Sequence, residues 1–220
     1  NIKESGVICA SMAFFNVFGT PLLEGNQDGI LAEPNTMAIS KSMAEKYFPG
    51  ESALGKSLIL ANDMDFRITG VYEDIPQNSH FHFNFLLAME GLAEAKTTSW
   101  LSNNFQTYLK IREGANPEEL NQKLKSLVEK NVTPELGKVF GEGATLDAMF
   151  ADGGKMEYDL QPLVDIHLKS DLMGEFEPNF NITYIYLFIA VALFILVIAC
   201  INFMNLSTAR SSSRAKEVGI

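Results

Sequence analysis

A chain of 220 residues can bury one good core or two small ones, and an apolar fraction of 47% is ordinary for a globular protein. The formal charge of −10, with no basic patch on the main body of the chain, excludes nucleic acid as a partner. Two cysteines, Cys9 and Cys200, provide no disulfide framework.

In chain order, residues 7–31 (VICASMAFFNVFGTPLLEGNQDGIL) read as an apolar, aromatic-rich strand or short helix followed by a turn. TMAIS reads as a short strand. SKSMAEKYF then reads as one amphipathic helix. Ser42 and Glu45 have capping-box spacing, Met43, Ala44, Tyr47 and Phe48 share a stripe, and Pro49-Gly50 ends it.

GESALGKS, Gly50 to Ser57, satisfies the letters of a nucleotide-binding P-loop. A working P-loop follows a buried strand and opens a helix, so that backbone N–H groups and the helix dipole face the phosphates. Here the order is reversed, helix before and strand after. The stretch reads instead as a helix-to-strand turn in which Gly50 and Gly55 supply backbone freedom.

SLILA and MDFRITGVYED are strand-like runs split by Asn62-Asp63, a hairpin pattern. IPQNSH is a turn, and HFHFNFLLAM reads as a strand with Phe81, Phe83 and Phe85 on one face. His80 and His82 share the opposite side. His-x-His can ligate zinc, but zinc takes three or four protein ligands, and the remaining histidine is the distant His167. Solvent-facing or partner-facing histidines on a strand are the expectation.

YLKI reads as a strand. Asn116-Pro117 opens a helix, NPEELNQKLKSLVEK, with Asn116 as cap and Leu120, Leu124, Leu127 and Val128 as its buried stripe. Residues 133–155 are Gly-rich, and Gly141 and Gly143 read as loop. YDLQPLVDIHL reads as a last strand. Strands and helices mix without a repeated strand–helix unit, which predicts an α+β fold. No nucleophile elbow or paired-carboxylate spacing points to catalysis.

From Pro178 to Ala209 there is no charged residue. A bilayer core takes about 20 mostly apolar residues as helix. The window 185–203 holds thirteen Ile, Leu, Val or Phe residues. At their usual central-bilayer values these total about −4 to −8 kcal/mol, an upper bound because residues near the ends gain less. The segment reads as a membrane-spanning helix.

Arg210, Arg214 and Lys216 follow it, opposed only by Glu217, whereas Asp171, Glu175 and Glu177 precede it against Lys169. Positive flanks stay in the cytoplasm, so the C-terminus is expected inside and residues 1 to about 178 outside. An outside domain has to be delivered by an upstream hydrophobic segment, which is expected ahead of Asn1. The cytoplasmic NLSTARSSSRAKEVGI reads either as a basic stop-transfer flank or as a helix offering Arg214, Lys216 and Glu217 to a partner.

ACINFMNLSTARSSSRAKEVGI resembles the end of the second membrane helix and the following cytoplasmic segment of FtsX-like/MacB-like ABC-transporter permeases. MAISKSMAEKYFPGESALGKSLIL, FRITGVYEDIPQNSHFHFNF, YLKIREGANPEELNQKLKSL and LQPLVDIHL resemble blocks of the MacB-type periplasmic core domain, in the variants common in Bacteroidetes-type Gram-negative bacteria.

The resemblance implies an α+β periplasmic core domain of two lobes over residues 1–178, one transmembrane α-helix over 179–207, and the start of a cytoplasmic coupling segment over 208–220. It further implies an inner-membrane protein without catalytic residues or cofactor of its own. The expected partners are a cytoplasmic ABC ATPase subunit, a second permease copy or homologue, and a periplasmic adaptor or lipoprotein where the family uses one. Arg214, Lys216 and Glu217 would lie in or near the ATPase-coupling segment. The competing reading is a ligand-sensing outer domain of a membrane receptor, which shares the same order of parts.

Overall fold

The computed structural model describes residues 4–60, 64–141, 145–146, 156–172 and 174–219, with backbone alone for 212–218. The chain divides into two compact units, residues 1–160 and residues 161–220.

The first unit contains β1 (Val7–Ala10), α1 (Phe14–Phe18), β2 (Leu22–Gly25), β3 (Thr36–Ser40), α2 (Lys41–Tyr47), β4 (Ser57–Leu60), β5 (Met64–Tyr72), β6 (Phe85–Ala88) and α3 (Pro117–Phe140). The six strands form one mixed sheet in the order β1-β6-β3-β5-β2. β3 lies parallel to β5 and antiparallel to β6, and β1 lies parallel to β6. β4 and β2 share the remaining edge of β5, β4 pairing with residues 64–67 and β2 with residues 70–72. The α+β expectation holds.

TMAIS, strand β3, is buried along its whole length, as a central strand covered on both faces should be. Between β3 and β5 the register slips by one, Met37 facing Ile68 and Ala38 facing Gly70. Thr69 is the extra residue, and its Oγ1 donates to Met37 O at 3.2 Å. A one-residue bulge exchanges the faces of a strand. Val71 therefore joins Phe66 and Ile68 in the cluster with Met37, Ile39, Ala53 and Phe85, and Met43, Ala44 and Tyr47 of α2 cover it together with Phe48 at the helix C-cap. Tyr72 falls on the opposite face, its ring edge-on to Phe15 at 5.8 Å and its hydroxyl donating to Phe83 O at 3.0 Å.

Several local expectations are corrected. Residues 7–31 resolve into three elements, β1, α1 and β2, because Gly19 at φ 67° closes α1 by donating to Phe15 O at 2.9 Å. The Ser42–Glu45 capping box does not form. Ser40 stands at the N-cap without a side-chain cap bond, its Oγ instead 3.2 Å from Ser42 Oγ, and Asp74 accepts from both the Ser42 amide (3.1 Å) and its hydroxyl (2.8 Å). A carboxylate 32 residues away thus does the work expected from three residues away.

The β4–β5 hairpin forms as expected, with Asn62-Asp63 outside the described residues. The run HFHFNFLLAM is laddered only from Phe85, since its partner β1 begins at Val7. Phe81, Phe83 and Phe85 are nonetheless all buried, as the alternation implies. YLKI joins no ladder; side chains hold it, Tyr108 against His80 and Lys110 near Asn16.

α3 begins as expected, Asn116 accepting from the Glu118 amide at 3.0 Å with Pro117 in the first turn. It then runs through Pro134 to Phe140, ten residues beyond the motif. Its buried stripe is Val128, Val132 and Leu136, with Leu120 and Leu124 only partly buried and Leu127 exposed. The shift follows the partners, Trp100, Leu101, Leu146, Met156 and Tyr158, which build a second core separate from that of the sheet. YDLQPLVDIHL is not a strand. Its first half lies extended beside α3, the Leu160 amide bonding Asn121 Oδ1 at 2.9 Å and Lys125 pairing with Glu157 and Asp159, and its second half turns helical.

Two carboxylates tie segments of this unit together. Glu135 accepts from Ser99 Oγ at 2.5 Å and the Trp100 amide at 2.7 Å, and these bonds, the hydroxyl's first, hold its carboxyl below the usual range. Glu4 is lowered likewise by Lys46 and then Tyr47. A carboxyl depressed in the folded state contributes stability above its unfolded value, and loses it as pH falls through the folded one. The melting temperature of the protein should therefore fall as the pH drops below about 5. A Glu4→Gln/Glu135→Gln variant, less stable at neutral pH, should show a shallower fall. An equally steep fall would mean that neither bond carries the acid sensitivity.

Candidate functional site

The three stretches singled out for chemistry have separate fates. In GESALGKS the loop spends its donors on the protein itself. The Gly55 amide bonds Ile68 O at 2.8 Å, the Lys56 amide bonds Ala53 O at 3.1 Å, and the Leu54 amide bonds Ser52 Oγ at 3.2 Å. Lys56 pairs with Glu51, its Nζ 4.8 Å from the Phe48 ring centroid. Gly50 and Gly55, at φ 77° and 78°, make the turn from α2 into β4. The stretch is a structural turn, with no anion cradle.

His80 and His82 do not converge. Nε2 of His80 lies 2.9 Å from Tyr108 Oη, and Nε2 of His82 lies 3.1 Å from Pro76 O. Among the described residues no group of three or more His, Cys, Asp or Glu side chains is placed to hold a metal ion. His80 belongs to an aromatic cluster with Phe18, Phe81 and Tyr108, Phe81 stacking on Phe83 at 4.6 Å. That cluster escaped the sequence reading because its members come from three separated segments.

The second unit holds α4 (Ile166–Lys169) and α5 (Ile182–Val218). α5 is 37 residues long. At 1.5 Å per residue it measures roughly 55 Å, against a hydrocarbon core of about 30 Å. Its stretch Ile182–Ser211 contains an 18-residue window of mean hydropathy 3.0, and none of that window is buried against the protein. A helix apolar on every side and uncovered has hydrocarbon as its natural solvent.

The ends of α5 agree with that reading. Asn181 caps the first turn, accepting from the Thr183 amide at 2.8 Å. Phe180 and Tyr184 pack ring to ring at 5.7 Å, and exposed Tyr184 and Tyr186 stand where an aromatic interfacial belt belongs. Further along, Thr208 Oγ1 donates back to Met204 O at 2.8 Å, so its hydroxyl is satisfied inside the helix. The backbone stays helical through Arg214, Lys216 and Glu217.

Ahead of α5, a loop folds back on α4. The Phe180 amide bonds His167 O at 2.9 Å, Asn179 Nδ2 donates to Ser170 O at 3.2 Å, and the Ser170 hydroxyl bonds Glu175. Lys169 pairs with Asp165 at 2.9 Å.

A mixed α+β unit is followed in the chain by one uncovered helix long and apolar enough to cross a membrane. Residues 2–127, more than half of the chain, match the MacB-like periplasmic core domain, and the chain belongs to that family of ABC-transporter permeases. Two solved structures are similar to it. A domain described as that of a permease protein from Porphyromonas gingivalis is 30% identical, with 57% of this chain and 58% of that one covered and a TM-score of 0.49. The periplasmic region of MacB from Actinobacillus actinomycetemcomitans is 20% identical, with 55% and 53% covered and a TM-score of 0.39. The chain thus spans little more than half the length of either. No curated protein matches it.

Proposed function

We propose that this chain is a permease subunit that couples cytoplasmic ATP hydrolysis to movement of its periplasmic domain, serving efflux, lipoprotein release or signalling. The observation that carries the reading is the unbroken helix Ile182–Val218, apolar for most of its length and ending in the charged segment with Arg214, Lys216 and Glu217. A helix without a break can transmit a displacement from one end to the other. Coupling also needs two states that the ATPase contacts differently.

In this reading residues 1–178 form the periplasmic domain, 179–207 cross the inner membrane and 208–220 open the coupling segment. ATP is hydrolysed in a separate cytoplasmic ABC subunit, and a second permease copy or homologue completes the pair. A periplasmic adaptor or lipoprotein is a further candidate partner of the outer domain.

Glu217→Lys tests it. Along the helix the change replaces an attractive Arg214–Glu217 spacing by a repulsive one, worth only about 0.2–0.5 kcal/mol, so folding should survive. In the complete assembly the variant should lose several-fold of its ATP-driven activity, while the melting of the outer domain stays unchanged. Wild-type ATP-driven activity in that variant would remove Glu217 from the coupling contact.

A further inference from the structure

We propose that the loop residues 163–172 and 174–180 lie on the lipid headgroup layer as a collar at the outer end of α5, making their contact through exposed apolar side chains. The inference goes beyond the permease reading and requires only that α5 spans the bilayer.

The first support is chain length. Phe180 stands two positions before Ile182, the first residue of α5. An extended chain covers at most about 3.6 Å per residue, so Phe180 is within roughly 7 Å of the start of the helix. The headgroup layer on each side of the hydrocarbon is about 5–8 Å deep. The residues just ahead of α5 therefore have no room to rise clear of it.

The second support is the folding of the loop on itself. Phe180 bonds His167 and Asn179 bonds Ser170, so α4 is tied back to the residues that enter the membrane. A free tether could lead straight away from the surface; this one returns to it.

The third support is what the loop exposes. Val164 is 85% exposed and Leu172 67%, with Leu163 and Phe180 also open. Their own unit leaves these side chains uncovered, as it does the apolar surface of α5. The loop carries Asp165, Asp171, Glu175 and Glu177 against Lys169, so anionic lipid does not attract it. Asp165 is paired with Lys169, and Glu175 is held by Ser170. The occupant that fits is a zwitterionic headgroup layer, met through apolar side chains between acidic ones.

Tryptophan quenching in phosphatidylcholine vesicles tests this with the full chain. Val164→Trp and Leu172→Trp are compared with Ile59→Trp on the β4 edge and Val191→Trp inside α5, each as a difference from the parent, which keeps Trp100 in the α3 core. Lipid carrying a nitroxide near the headgroup should quench Val164→Trp and Leu172→Trp at least about twofold more than Ile59→Trp. Quenching at the level of Ile59→Trp, with Val191→Trp strongly quenched by chain-labelled lipid, would overturn the collar and leave the spanning helix standing. Blue-shifted emission without quenching would overturn it as well, because protein rather than lipid would then cover the loop. An unquenched Val191→Trp would instead remove the spanning helix, and the collar with it.

Discussion

Gly25→Ala is expected to lower the melting temperature of the folded protein by roughly 5–20 °C, at 2–4 °C per kcal/mol for a unit of this size. Gly25 has φ +103°, and a Cβ built there would lie 2.5 Å from Thr69 O and 3.0 Å from the Gly70 Cα. Both are backbone atoms of the neighbouring strand and cannot rotate aside. The forced φ costs about 1–3 kcal/mol and the overpacking about 1–3 kcal/mol more. Gly25 pairs with Gly70, the residue beside the Thr69 bulge; Gly25 lets β2 approach β5 where its backbone is displaced, whereas the bare Cα of Gly70 leaves room for the Ile30 side chain.

Gly50→Ala is the matched control, because Gly50 has φ +77° with nothing within 4 Å of the added carbon. It should lose only the strain share. Near-ultraviolet circular dichroism on heating the full chain in detergent reads both. Equal losses in the two variants would mean that β2 does not approach β5 so closely.

A Leu193→Arg/Leu196→Arg variant should fail to insert its helix, whereas Leu193→Arg alone should insert. Each change removes up to about 0.6 kcal/mol of favourable transfer and adds about 2.5–3.5 kcal/mol of cost near the centre. The thirteen large apolar residues of the window supply at most about 8 kcal/mol between them. Against a total of about −4 to −8 kcal/mol, one arginine, costing about 3 to 4 kcal/mol, leaves the balance favourable over nearly the whole range. Two, costing about 6 to 8 kcal/mol, shift it to about −2 to +4 kcal/mol, centred on the unfavourable side. Carbonate extraction of cell membranes separates the outcomes: the single variant stays in the pellet and the double variant moves to the supernatant. Retention of the double variant would show that α5 is held by other helices or has a different depth, with Leu193 and Leu196 away from the bilayer centre.

Much of this was open to reading from the chain. The apolar run after Pro178 needs no partner to declare itself, because a spanning helix satisfies its backbone within its own segment. TMAIS, the β4–β5 hairpin, the α2 stripe and the Asn116-Pro117 start are likewise local patterns, and each appears where expected. GESALGKS could be judged from the order of its neighbours, and the bonds of Gly55 and Lys56 agree. At Arg214, Lys216 and Glu217, the residues proposed to couple, the backbone is helical, and the Glu217→Lys experiment tests the proposed contact.

Composition and periodicity were enough to establish an α+β domain joined to an apolar helix, since both follow from which residues stand within a few positions of one another. The three-dimensional arrangement alone decided what depends on residues far apart. Asp74 displaced the expected capping box because a carboxylate 32 residues away reached Ser42 first. The stripe on α3 moved to Val128, Val132 and Leu136 because Trp100 and Tyr158 pack there. YLKI and YDLQPLVDIHL have strand-like letters and no ladder, because a strand exists only where another offers its edge. The bulge at Thr69, which sets the faces of Val71 and Tyr72, leaves no mark in periodicity, since it arises from the pairing of β3 with β5.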